Sequence, residues 1–134
     1  MITQTTSPPV GLCVQDLTVR YGTAAVLQGV SFSVPVPGQL IGLLGVNGSG
    51  KTTLAESMLY MTGAIDRQGK TADGNTVCDY DPEEIKRQIT ISTSIAPVNF
   101  GGCKINVLDC PGFFDFAGDV MCALRAVEAG MIFC

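Results

Sequence analysis

Residues 45–52 read Gly-Val-Asn-Gly-Ser-Gly-Lys-Thr, the spacing G-x-x-x-x-G-K-[ST] of a phosphate-binding P-loop. Its glycines let successive backbone N–H groups turn inward and converge on phosphate oxygens. A helix opening at Lys51 adds unpaired amides and the positive end of its dipole. The Lys51 ammonium can reach β- and γ-phosphates, and the Thr52 hydroxyl can ligate Mg²⁺. Gly45, Asn47, Gly48, Ser49, Gly50, Lys51, Thr52 and Thr53 are therefore the candidate nucleotide-binding residues. A second constellation is Asp109-Cys110-Pro111-Gly112. An apolar strand that ends in an Asp beside such a loop suits a carboxylate holding Mg²⁺ directly or through water. Gly112 has no side chain and can lend its amide to a γ-phosphate.

Both constellations need elements to position them. Leu40 to Leu44 is a short apolar run that reads as a buried strand feeding the loop. The helix after the loop runs to about Thr62, with Leu54, Met58 and Met61 at helical spacing and Gly63 as its stop. Upstream, residues 12–21 partly alternate and read as a strand. Residues 27–34 put Val30, Phe32 and Val34 on one face of a second strand. Val36-Pro37-Gly38-Gln39 is a turn signal. Residues 64–80 are polar and Gly-containing, a loop. Asp81 is then a good N-cap, Pro82 fits the first helical position, and Glu84 completes a capping box. Capping and solvation account for the charges from Asp79 to Arg87. Residues 89–98 are β-prone, residues 99–102 read as a hairpin loop, and residues 103–109 as the returning strand that delivers Asp109. Val120, Leu124 and Val127 mark one face of a helix ending at Gly130, and residues 131–134 open another buried strand.

With 134 residues the chain suits one domain and can bury a moderate core. It is 46% hydrophobic, but its apolar stretches are interrupted well short of the ~20 residues that span a membrane. Residues 1–10 carry no positive side chain before an apolar core, so they read as a flexible polar tail and not a signal peptide. Net charge is −4 and the eight basic residues are scattered in sequence, which argues against a direct nucleic-acid face. Histidine is absent, which removes His general bases and His ligands. Six cysteines without a C-x-x-C pair read as free thiols in a reducing cytoplasm. The Asn47-Gly48-Ser49 glycosylation sequon is incidental inside a P-loop.

About residues 11–54 resemble the start of an ATP-binding cassette ATPase, through VRYG, GVSFSVPVPGQLIGLLG and GVNGSGKTT. The resemblance implies an adenine stacked on Tyr21; a strand-end tyrosine packing on the core is the other reading of that residue. The family's LSGGQ signature, glutamine loop and histidine switch are missing. From about residue 52 onward the chain resembles the GTPase domain of translation elongation factor G, through TTLAESMLYMTGAIDRQGK, DGNTVCDYDPEEIKRQITISTS, GCKINVLDCPGFFDF and ALRAVEAG. This second resemblance is longer and more specific. It implies that Lys51 and Thr52 serve phosphates and Mg²⁺, that Thr90 closes on Mg²⁺ and the γ-phosphate as the first switch threonine, and that Asp109 and Gly112 form the second switch. The usual histidine after D-x-P-G is Phe113 here, which cannot orient water, so intrinsic hydrolysis should be slow. The guanine-reading N-K-x-D motif is also missing.

The expectation is a mixed α/β P-loop sheet over residues 11–134, incomplete at its C-terminus, with an added N-terminal β hairpin. Residues 11–44 supply cassette-ATPase-like strands and residues 45–134 a GTPase-like part. The P-loop and Asp109 strands should run parallel, with the 89–98 strand antiparallel at the edge. The expected function is Mg²⁺-dependent binding of a purine nucleoside triphosphate, with GTP preferred over ATP. Lys51, Thr90 and Gly112 are the candidate catalytic residues, and Thr52, Thr90 and Asp109 the candidate metal ligands. A ribosome partner is implied by resemblance alone. An ATP-binding transporter subunit and a non-catalytic, poorly folding chimeric fragment are the alternatives.

Overall fold

The computed structural model describes residues 11–134. The flexible-tail expectation for residues 1–10 lies outside them. The first two strands are β1 (Leu12–Tyr21) and β2 (Ala24–Val34), an antiparallel hairpin forming its own two-stranded sheet. The second sheet has four strands in the order β4-β5-β3-β6: β4 (Ser94–Phe100), β5 (Cys103–Asp109), β3 (Leu40–Gly45) and β6 (Ala129–Phe133). Strand β3 runs parallel to both β5 and β6, and β4 pairs antiparallel with β5 at the edge. The expected mixed architecture, the parallel central pair and the added hairpin are therefore present. Pro97 is tolerated in β4 because an edge strand does not need every N–H in a ladder.

Helix α1 (Lys51–Met61) follows β3, the short α2 (Pro82–Arg87) precedes β4, and α3 (Ala117–Ala126) carries the chain from β5 to β6. Buried Leu54, Ala55, Met58 and Leu59 of α1 join Ile41, Leu43, Val98, Ile105 and Val107 in one core. The hairpin shares it. Leu12, Val19, Leu27 and Val34 are buried in the same cluster, so the N-terminal strands pack onto the P-loop layer. Leu27 reaches under the loop itself. Gly50 has φ +97°, and a Cβ there would fall 2.8 Å from Leu27 Cδ2. Only glycine combines that backbone conformation with that approach.

Three sequence expectations shift. Residues 89–93 lie outside β4, which spans Ser94–Phe100, because the amides of Ile91 and Ser92 bond the buried Glu84 carboxylate instead of a strand partner. The hairpin loop shrinks to Gly101-Gly102, at φ +57° and +78°, the pair of positive φ values that a type I′ turn requires and two glycines adopt without strain. Helix α3 ends at Ala126, and Gly130 lies inside β6, opposite Gly42. There the pull of parallel pairing with β3 overrides the helix-stop value of a glycine. The capping box at Asp81 forms as read: Asp81 Oδ1 accepts from the Glu83 amide at 2.8 Å, and Glu84 Oε2 accepts from the Asp81 amide at 3.2 Å.

Leu27→Ala should lower stability by about 2–5 kcal/mol, the usual cost of emptying a buried leucine site. Urea unfolding should show one transition moved to lower denaturant. Two separated transitions would mean that the hairpin and the four-stranded sheet do not share a core.

Candidate functional site

Register places the site. In the parallel β3–β5 pair, Leu43 lies opposite Asp109, so the P-loop and the Asp109 turn leave the sheet at the same end. Brought together there are Lys51, Thr52, Thr90, Asp109 and Gly112. Lys51 is buried, and its Nζ donates to the carbonyls of Gly45 at 2.7 Å and Val46 at 3.0 Å. The ammonium thus sits inside the curve of its own loop. Burial pulls its pKa below the ordinary lysine value. The N-terminus of α1 has no capping side chain and no acidic residue in its first turn, so its amides face an open cavity.

Thr52 Oγ1 donates to Asp109 Oδ2 at 2.6 Å, and Thr90 Oγ1 donates to Asp79 Oδ1 at 2.7 Å. The two threonine oxygens approach to 3.4 Å. Each hydroxyl has one proton, and each proton is already committed. Their approach therefore sets lone pairs face to face, an arrangement that a cation would join. Asp109 is fully buried, and its Oδ1 has no partner. Burial, reinforced by the nearby Asp79 carboxylate, lifts its pKa to about 7. Burial also raises Asp79. The donor set is all hard oxygen, as Mg²⁺ prefers. No cluster of three or more His, Cys, Asp or Glu side chains among the described residues could hold a metal alone. Few protein ligands with phosphate completing the shell is the usual Mg²⁺ arrangement.

Gly112 lies flush against the P-loop. A Cβ there would fall 2.5 Å from Asn47 Oδ1, 2.6 Å from Asn47 N and 2.8 Å from Gly45 O. Any side chain would wedge the Asp109 turn off the loop. Phe113 follows at the surface, roughly half exposed, with no hydrogen-bonding group.

The cavity over the loop measures about 570 Å³, within the ~300–1,000 Å³ of small-molecule sites. The P-loop forms its floor, Lys70–Asp73 and Gln88–Thr90 one wall, and Tyr21 with Val26 of the hairpin another. Tyr21 is partly buried against the core and lines the cavity, and its hydroxyl donates to the Gly69 carbonyl at 3.2 Å. Lys70 Nζ lies 4.9 Å above the ring centroid. Arg20, together with Arg67 and Lys70 from a distant segment, lines a neighbouring shallow groove with Tyr21 and Tyr60.

Sequence reasoning missed three carboxylates. Asp79, read as part of a solvated charge cluster, is buried against Thr90. Glu56 is fully buried in α1 and accepts from the amides of Gly69 at 3.0 Å, Val77 at 2.6 Å and Cys78 at 3.2 Å. Glu84, assigned only a cap, also accepts from Ile91 and Ser92. The signal was present for Glu56: one charge inside Leu54-Ala55-Glu56-Ser57-Met58-Leu59, on the face that must be buried.

The Asp109 carboxyl makes stability depend on pH. Its folded pKa, about 7, lies above the ~4 of an unfolded aspartate, so the folded state holds a proton that the unfolded state has lost. Its contribution is complete below pH ~4 and is lost as pH rises toward 7. Without nucleotide or Mg²⁺, the Tm of the wild type relative to Asp109→Asn should fall from pH 5 to pH 8. A difference that stays flat across that range would contradict the burial of this charge.

Residues 38–134 match the family described as Elongation factor Tu GTP binding domain. The elongation factor G-like protein of Synechocystis is 40% identical over 94 residues, covering 70% of this chain and 14% of the relative. Elongation factor G 2 of Streptomyces coelicolor is 40% identical over 91 residues, 68% of this chain and 13% of the relative. Mitochondrial ribosome-releasing factor 2 of Scheffersomyces stipitis is 36% identical over 112 residues, 83% of this chain and 13% of the relative. A crystal structure from Thermus thermophilus aligns with a TM-score of 0.70 at 42% identity, over 71% of this chain and 14% of that one. A bacterial selenocysteine-specific elongation factor aligns with a TM-score of 0.55 at 25% identity. The chain thus spans 13–14% of the length of the three curated relatives. The family match starts at residue 38 and lends no support to the cassette-ATPase resemblance of about residues 11–54, nor to ATP as ligand. The chain belongs to the elongation factor Tu GTP-binding domain family, and residues 38–134 carry that membership.

Proposed function

We infer that this chain binds GTP with Mg²⁺ in a single P-loop unit over residues 11–134. One observation carries the reading: Lys51, Thr52, Thr90, Asp109 and Gly112, spread over 62 positions, from 51 to 112, converge at one end of the β3–β5 pair. The amides from Gly45 to Thr53, including those of Gly48 and Ser49, cradle the phosphates, and Lys51 turns from its carbonyl partners to the β- and γ-oxygens. Thr52, Thr90 and Asp109 hold Mg²⁺, which when bound neutralises phosphate charge. The Gly112 amide meets the γ-phosphate from the opposite side. Tyr21 and Val26 of the hairpin form one wall of the cavity that would hold the nucleotide.

Hydrolysis in this site is attack of water on the γ-phosphorus, with GDP leaving and Lys51 stabilising the charge that develops. Phe113 offers the water no hydrogen bond, so turnover of the isolated chain is slow. The elongation-factor relatives support a translational setting, with the ribosome as partner and the cytoplasm as location. No helix among the described residues is long and apolar enough to cross a membrane. The shared core of hairpin and sheet counts against the poorly folding fragment.

Titration of fluorescent GTP and ATP against the chain should show Mg²⁺-dependent binding with GTP preferred. Lys51→Ala should weaken GTP at least about tenfold, the scale of one lost charge-assisted contact. Equal GTP affinity in the variant would overturn the assignment.

A further inference from the structure

Asn47 has a polar side chain beside the cavity with a donor left unused. Its Nδ2 is buried and bonds to nothing. Asn47 also lines the cavity over the P-loop, and its carboxamide lies against Gly112. On the reading above, the outermost phosphate of a triphosphate enters this flank, between the loop and the Asp109 turn, where Gly112 now lies flush and must part from the loop to uncover this donor. A diphosphate stops short of it. A buried donor without an acceptor is costly, and an ionised oxygen is the strongest acceptor that it could gain. The other orphaned side chain of the loop is Ser49, whose Oγ lies 3.1 Å from the Cβ position of Gly45, on the strand side. Phe113 adds no polar group on this flank. Lys51 reaches both outer phosphates and so discriminates poorly between a triphosphate and a diphosphate.

We propose that Asn47 is a specificity-determining residue that recognises the terminal phosphate. Its Nδ2 donates to a γ-phosphate oxygen beside the Gly112 amide, so the chain distinguishes nucleoside triphosphate from diphosphate. The carboxamide is neutral and cannot exchange a proton with the phosphate. It acts by binding alone, and its effect appears in affinity with no need for turnover. The proposal rests on the nucleotide-binding reading above.

The test measures the affinities of fluorescent GDP and a non-hydrolysable GTP analogue, with Mg²⁺, for the full chain and for Asn47→Ala, Asn47→Ser and Asn47→Asp. The triphosphate-to-diphosphate affinity ratio should fall about tenfold in Asn47→Ala. It should fall further in Asn47→Asp, where a carboxylate faces the γ-phosphate. Each ratio comes from one preparation, so an inactive fraction cancels. Ratios unchanged in both Ala and Asp variants overturn the role of Asn47 and leave nucleotide binding standing. Equal loss of both nucleotides in Ala and Ser variants also overturns it, because a terminal-phosphate contact cannot weaken GDP. A wild-type chain that binds neither nucleotide overturns the proposal together with the reading beneath it.

Discussion

The parallel register of β3 and β5 is the constraint on which the site depends. With Leu43 opposite Asp109, two segments that leave the sheet separately emerge side by side. A slip of one residue would turn the Asp109 side chain to the other face of the strand and break its 2.6 Å bond from Thr52. The register is secured on both sides. Strand β4 pairs with β5 along its whole length, and β6 pairs with β3 from Ile41 to Gly45.

The wall of the cavity is built differently. The chain from Gly63 to Thr93 has only one short helix, α2 (Pro82–Arg87), and a single 3-10 turn. Such a segment leaves many backbone amides without ladder partners. Two buried carboxylates take them up. Glu56 gathers three amides from Gly69 to Cys78, and Glu84 gathers those of Asp81, Ile91 and Ser92. A carboxylate that accepts several backbone N–H bonds can stay buried without a cationic partner. Thr90 then hangs between these anchors, close enough to Thr52 to share a ligand and tied only through Asp79.

The hairpin solves a different problem. Its apolar face would be stranded as an isolated two-stranded ribbon, which is marginal in water. Packing on α1 buries Leu27 and Val19, and the same packing brings Tyr21 to the cavity mouth. Stability and site shape are therefore coupled at the hairpin, although the family match begins after it, at residue 38.

Much of the molecule was legible from residue order. The P-loop, its helix, the Asp81 capping box and the Asp109 strand all follow from short-range chemistry: turn glycines, a cap three residues from its partner, an apolar run with a carboxylate at its end. These signals live within a few positions and need no knowledge of distant segments. Asp79, Glu56 and Glu84 were harder, since a carboxylate in sequence looks solvated until its hydrogen-bond donors are known, and those donors lie up to 22 residues away. The start of β4 and the end of α3 moved for the same reason, each set by a partner from another segment. Local order named the candidate phosphate-binding groups. Folding settled which carboxylates lose their water, how close Gly112 comes to Asn47, and which donors are left unpaired, because burial and long-range pairing exist only once the chain has closed on itself.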